Sequence, residues 1–395
     1  YWTRFKDACK AFLDKLNASG GYSLVQADGT RPEDYRLAYR TAYFDEGSSE
    51  LIHSVHWLNK PGSSYNWYSW IGNTRSAYAV TQEYVEMFPW SDGTPFDWDK
   101  AENDGKLNQM FVTGDSVKGK TLLQNVRLTR DPRLYETAIV NGGLSTLDWT
   151  TAAMTGTPYE TWVGGSTSSN NSADEVGSFA TGYRVLKYSF SEYSGHGLQW
   201  ATIRLSDVYL MYAEALIQTN TSGNFKDAIE WIDKVRARVG MKGLVECNPD
   251  KDLLHNKELL MQELFRERAC ELGFENARYM DMVRYKMKST FEKPLHGLRI
   301  YRMVKNPTTG KFERCNLQWY KASKGQTFTC SDGTKVKIAY KDGIQQPTVF
   351  EYEKFELNKG KRLWWSQGFD PKWYLTPFKT TEINKGYGLV QNPGW

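Results

Sequence analysis

The chain has 395 residues, with 50 Lys and Arg against 46 Asp and Glu, a net charge of +4. The charges are dispersed, without a polybasic arm or an acidic tail, so nothing calls for nucleic acid or anionic lipid as a partner. Hydrophobic residues make up 40%, and no run of about eighteen apolar positions exists to span a membrane.

In chain order, Trp2, Phe5, Cys9, Phe12, Leu13 and Leu16 share one helical face, which predicts a helix from about Trp2 to Leu16, stopping at Gly20-Gly21. A native amino terminus seldom starts inside an amphipathic helix, so an upstream portion is expected to be missing. From Pro61 to about Gln199 the chain is dominated by Gly, Ser, Thr, Asn and aromatics. So long a loop-rich stretch is usually functional or disordered, and its many rings argue against disorder.

Leu205, Val208, Tyr209, Tyr212, Ala213 and Leu216 then form a full helical stripe. After the turn Asn220 to Gly223, Phe225, Ala228, Ile229, Ile232, Val235 and Val239 form a second, ending at Gly240. Together 203–240 reads as an antiparallel helical hairpin, closely packed through Ala213 and Ala228 and resembling one tetratricopeptide unit. A helix over Lys257 to Leu272 turns Leu260, Met261, Leu264, Phe265 and Leu272 inward, and a shorter one follows near Ala277 to Tyr285. From Leu298 to Tyr340 the period becomes two. Ile300, Arg302 and Val304 alternate with Arg299, Tyr301 and Met303, and Asp332-Gly333 is a hairpin signal. This predicts a small antiparallel β meander. The remainder, 351–395, reads as a terminal loop region.

The five cysteines include no CxxC and no Cys/His group at zinc spacing, so neither metal nor cofactor is expected. Cys9 and Cys270 read as small core residues. Cys315 and Cys330 would lie roughly opposite if their strands paired across the loop near Lys321 to Gly325, which leaves a disulfide and two free thiols both open.

The aromatic excess, 15 Trp and 24 Tyr, is the main functional signal. Tyr65, Asn66, Trp67, Trp70, Trp149, Tyr159 and Trp162 lie in loop-like surroundings, as do Tyr193 and Trp200. Flat rings on loops suit a pyranose face, and neighbouring amides fix its hydroxyls. Against this, any single Trp more often anchors its loop to the body. The carboxylates Asp97, Asp99, Glu102 and Asp104 could serve glycoside hydrolysis or calcium, although a solvated loop is the favoured reading. No catalytic motif is found, and His53 and His56 lack zinc-protease spacing. Arg266, Glu267, Arg268, Glu271, Arg278, Asp281 and Arg284 read as a structural ion network.

Several segments resemble one family. Arg204-Leu205-Ser206-Asp207 followed by Tyr212-Ala213-Glu214-Ala215 is similar to a helix of the SusD/RagB family of Bacteroidetes outer-membrane lipoproteins. Val235 to Met241, Glu263 to Arg284, Tyr374-Leu375-Thr376-Pro377 and Gln391-Asn392-Pro393-Gly394-Trp395 continue the resemblance. Earlier, Thr81 to Val85, Asp92-Gly93-Thr94-Pro95 and Arg130 to Tyr135 also fit. Pro377-Phe378-Lys379 departs from the second proline often found there. The resemblance implies a mainly α fold of tetratricopeptide-like pairs with a loop-rich ligand face, in one domain over 1–395. It implies a surface-exposed, lipid-anchored outer-membrane protein that binds a glycan and delivers it to a SusC-like TonB-dependent transporter. The anchor belongs to the missing portion. Peptide capture, as in RagB-like relatives, is the first alternative and a glycoside hydrolase the second; ligand residues are not carried by the family motifs.

Overall fold

A computed structural model describes residues 1–57, 79–115, 124–143, 159–165, 180–188, 198–315, 317, 326–338, 349–357 and 367–395. The first helix, α1 (Trp2–Ser19), buries Cys9, Leu13 and Leu16 and ends where Gly20 takes φ 70, a conformation that favours glycine. The second, α2 (Pro32–Phe44), starts with Pro in its first turn, and Asp34 accepts a hydrogen bond from the Arg31 backbone N–H at 3.0 Å. Its inward face is Arg36, Tyr39, Arg40 and Tyr43, all buried.

Strand β1 (Leu51–Trp57) pairs antiparallel with β6 (Leu198–Arg204). Between them the loop-rich stretch contains α3 (Gln82–Met87), α4 (Trp98–Asn103), α5 (Leu134–Thr137), the pair β2 (Val112–Asp115) and β3 (Gln124–Leu128), and the pair β4 (Ala138–Ile139) and β5 (Arg184–Val185). Each of these helices is six residues or fewer, so helical periodicity had no room to show.

The expected hairpin is α6 (Leu205–Thr219) and α7 (Lys226–Ala237). Leu210, Ala213, Ile217, Ala228, Ile229, Ile232 and Val235 form one buried cluster with Leu260, Leu264 and Phe265. The last three lie on α9 (Lys257–Glu271), which follows the short α8 (Leu244–Cys247) and is capped by the Asn256 side chain accepting from Leu259 N at 3.1 Å. Beyond α9 come α10 (Ala277–Arg284) and α11 (Lys288–Phe291). Strand β7 (His296–Lys305) is the centre of a three-stranded sheet, between β11 (Phe350–Glu356) and β8 (Phe312–Cys315). Leu298, Ile300, Arg302 and Val304 face inward, as the period of two predicts. Strands β9 (Gln326–Thr329) and β10 (Lys335–Ile338) form a separate hairpin through Asp332-Gly333. The chain finishes through α12 (Thr380–Ile383).

Two expectations need correction. The terminal loop region begins with a strand, β11, whose Phe350 and Tyr352 pack on the core that Ile300 enters. Cys315 and Cys330 do not oppose one another on paired strands: β8 pairs with β7, and β9 with β10. Both are free, buried thiols in a small cluster with Val304, Val336 and Ile338.

The ion network is buried and centres on Glu271. Its carboxylate accepts from Arg204 Nη1 at 2.5 Å, from Arg133 Nη1 at 2.9 Å and from Arg238 Nη2. Arg204 also reaches Glu275 at 2.8 Å, Arg238 reaches Glu50 at 2.9 Å, and Arg133 reaches Asp131 and Glu267 at 2.7 and 2.5 Å. Lys187 closes on Glu275 at 2.5 Å. Burial alone would push the Glu271 carboxyl up; Arg238, Arg204 and Arg133 outweigh it and hold it well below the ordinary value. Charges removed from water need partners, carboxylates here and backbone carbonyls for Arg130, which bonds those of Val85 and Phe88. The network joins β6, the α5 turn, the end of α7 and the end of α9, the junction where hairpin and loop-rich stretch meet.

Candidate functional site

At the end of α9 the chain turns sharply. Phe274 and Asn276 both take left-handed backbone, φ 61 and φ 64, before α10 begins. Such conformations in non-glycine residues cost energy and concentrate at sites where the surroundings enforce them. Beside them, Gly273 leaves room for a close approach. A Cβ there would run into the hydroxyl of Tyr84, which donates to the Ala269 carbonyl at 2.9 Å. Tyr84 lies on α3, whose start is capped by the Thr81 side chain. Its ring meets Phe88 and Phe274 edge-on, with centroids 5.3 and 5.9 Å apart.

The turn, α3 and the α11 segment enclose a groove of about 660 Å³, within the range that holds small ligands. Tyr84, Met87, Phe274, Met282 and Phe291 supply its apolar wall. Tyr279 stands at the groove, 52% exposed, with its ring 6.3 Å from that of Phe291. Polar groups converge on the same space from Thr81, Asn276 and Thr290.

The charged groups at the groove divide into two kinds. Glu83 accepts from His296 N at 3.0 Å and contacts its Nδ1 at 2.5 Å; Glu86 is held by Lys354 at 2.5 Å and by Gln82 at 2.8 Å. Arg278 and Lys293 make no hydrogen bond or ion pair among the described residues. Burial lowers the pKa of Arg278. Of the expected ion network, Arg278 is joined to Asp281 through charge alone, the hydrogen bonds of Asp281 going to Arg268 at 2.7 Å and Arg284 at 2.8 Å.

Of the seven residues expected to bind ligand, Tyr65, Asn66, Trp67, Trp70 and Trp149 lie outside the described residues, as does Tyr193. Trp162 is 7% exposed and tilts against Phe350, centroids 5.4 Å apart, in the core that β7 enters. That burial removes it as an open landing surface. Tyr159 is half-buried and packs with a different cluster, around Tyr39, Tyr43 and Tyr188. Trp200 stacks on Tyr188 at 4.8 Å. The structure therefore does not bring Tyr159 and Trp162 together. The acidic run is used locally. Asp97 caps α4 by accepting from Lys100 N at 2.7 Å, Asp104 meets Lys100 at 3.2 Å, and all four carboxylates are exposed. Among the described residues no cluster of metal-ligating side chains occurs.

Sequence reasoning missed Tyr84, Phe274 and Tyr279 as site residues. The one available signal was local: a glycine, an aromatic and an asparagine closely spaced after a helix, Gly273, Phe274 and Asn276, mark a turn of special geometry.

The sequence model of the SusD family matches residues 39–395. Among solved structures, a SusD-like protein from Bacteroides fragilis (BF3747) aligns with 99% of this chain and 62% of its own, at 22% identity and a TM-score of 0.60. The protein BT4246 aligns with 100% of this chain and 62% of its own, at 16% identity and a TM-score of 0.59. The chain thus spans 62% of the length of each. At these identities the likeness concerns the fold. No curated protein matches the sequence.

Proposed function

This chain belongs to the SusD family, and from that premise we propose that it is a surface glycan-binding protein that captures oligo- or polysaccharide and delivers it to a SusC-like TonB-dependent transporter. On this reading it acts at the outer membrane of the cell, held there by a lipid anchor. No helix among the described residues is long and apolar enough to cross a membrane. The observation that carries the ligand reading is the groove beside α3 and α10, where Tyr84, Phe274 and Tyr279 meet the polar groups of Thr81, Asn276 and Thr290. A sugar ring presents a C–H face that lies on an aromatic side chain, while its hydroxyls take hydrogen bonds from amide and hydroxyl groups. The loop residues Tyr65, Asn66, Trp67, Trp70 and Trp149 are proposed to add contacts to the same ligand. Of the acidic run, Asp97 is spent on a helix cap and Asp104 on surface ion pairs.

Calorimetry against a panel of oligosaccharides tests this. A member of the panel binds, and Tyr279→Ala weakens it by about tenfold or more, as loss of an anchoring aromatic does. A blank glycan panel together with binding of a peptide library would replace the proposal with peptide capture. Co-purification with a SusC-like transporter from the same cell tests the delivery step; the two separating cleanly in mild detergent counts against it.

A further inference from the structure

We propose that the groove selects an anionic sugar, whose carboxylate or sulfate is held by Arg278 and Lys293 while its ring lies against Tyr84, Phe274 and Tyr279; this deepens the glycan-capture reading and rests on it. Arg133, Arg204, Arg238 and Arg268 are buried in this protein, and each is joined to a carboxylate. Arg278 is half-buried in the groove wall, loses hydration there, and makes no hydrogen bond or ion pair among the described residues, Asp281 acting on it through charge alone. The two glutamates that share the groove are already engaged, Glu83 by His296 and Glu86 by Lys354. Asp281, on the same helix, faces Arg268 and Arg284. The first turn of α10 carries no acidic residue. The groove therefore offers two uncommitted cations on an apolar wall.

An anion on the ligand completes this arrangement. A guanidinium presents a planar fork of N–H donors that matches a carboxylate or sulfate edge, and such charge-assisted bonds strengthen where water is partly excluded. A neutral sugar would leave Arg278 as it is, desolvated and unpaired. Lys293 is exposed, so it contributes attraction rather than a fixed geometry.

The test uses matched pairs of probes: an oligogalacturonate against its full methyl ester, and a sulfated oligosaccharide against its desulfated form. Affinities are measured by calorimetry at low and at high salt. In the unaltered protein the charged member of at least one pair binds about tenfold to a hundredfold more tightly, the range for charge-assisted hydrogen bonds, and salt narrows the ratio. In Arg278→Gln the ratio collapses toward one. Arg278 makes no hydrogen bond or ion pair among the described residues, so this variant keeps its melting temperature to within a degree or so; Lys293→Gln is a second variant, on another element, and lowers the ratio less. Equal binding within both pairs, or a ratio that survives both substitutions, overturns the inference while glycan capture stands. If no glycan binds at all, both readings fall together, which the blank panel reports directly.

Discussion

Glu271 shows how much one side chain carries here. Three arginines from three parts of the chain converge on a carboxylate that is 0% exposed. Glu271→Gln keeps the shape and removes the charge, leaving Arg133, Arg204 and Arg238 short of one negative partner in the interior. Breaking a buried pair this way costs about 3–5 kcal/mol. Urea unfolding should show a loss of that size; a loss below about 1 kcal/mol would mean that Glu50, Glu267 and Glu275 absorb the change. By contrast, Lys10 and Asp14 form a surface pair one turn apart on α1, and Asp14→Asn should leave the unfolding midpoint where it is. The charged residues of α9 were legible in the sequence as a structural network, because acids and arginines recur there at helical spacing. Their partners were not, since Glu50, Arg133 and Arg204 come from distant segments. Nor could the sequence separate Arg278, whose distinction is that among the described residues no carboxylate forms an ion pair with it. The aromatic signal misled at Trp162 for a related reason: an indole in loop-like surroundings serves equally well as an anchor into the core.

Helices with an apolar stripe declared themselves, and those with a polar buried face did not. The α6–α7 hairpin and α9 were readable from Leu, Ile, Val and Ala at spacings of three and four. Helix α2 escaped because its buried face is Arg36, Tyr39, Arg40 and Tyr43, with the two arginines meeting Glu136 at 2.7 and 2.9 Å. Polar residues at core positions disguise periodicity. Strand β11 escaped because its residues are only half-buried, which blurs the alternation. At this scale the joint between α9 and α10 is open to perturbation, because Gly273 and Tyr84 share one space. Gly273→Ala should overpack it and cost about 1–3 kcal/mol, displacing Tyr84 and weakening ligand binding at the groove. Tyr84→Phe removes the hydroxyl that the new methyl meets. The double variant should therefore be more stable than the sum of the single changes, a coupling a double-mutant cycle reads. Simple additivity would show that the contact at Gly273 is not what shapes the turn.

Across the whole molecule, the groove was invisible in the sequence because it is assembled from 79–87, 273–282 and 290–295, segments that no local pattern connects. The same long-range assembly makes stability depend on pH in a signed way. Burial would raise Glu271, Glu275 and Glu136, yet their arginine and lysine partners leave all three below the ordinary value of 4.5. A carboxylate depressed by folding binds fewer protons folded than unfolded. Its stabilisation is complete above about 4.5 and is lost as pH falls through the folded values. Asp207 and Asp233, raised by burial, act in the opposite sense near the same pH. At the alkaline end buried groups act in both senses, and Cys9, Cys247, Cys270 and Cys330, raised by burial from 9.0, lose their contribution as pH rises past that value. Lys187 is lowered by burial from 10.5 to about 8. Between those values the unfolded chain holds the extra proton, so this residue's contribution to stability rises with pH. Tyr39, Tyr84, Tyr183 and Tyr188 are raised by burial well above 10.0, so their contribution is full below about 10 and declines above it. Melting temperature followed from pH 3 to 11 should fall steeply below about 4.5 and fall again above about 9, where first the cysteines and then the tyrosines titrate, with Lys187 opposing that fall from about 8. Lys187→Met should steepen the fall above about 8, because the cysteines and tyrosines remain and nothing at that position opposes them; an unchanged alkaline arm in that variant would take Lys187 out of the account. Glu271→Gln should make the acid arm shallower, since the group with the most depressed value no longer titrates, and an unchanged acid arm would place the acid sensitivity outside the network.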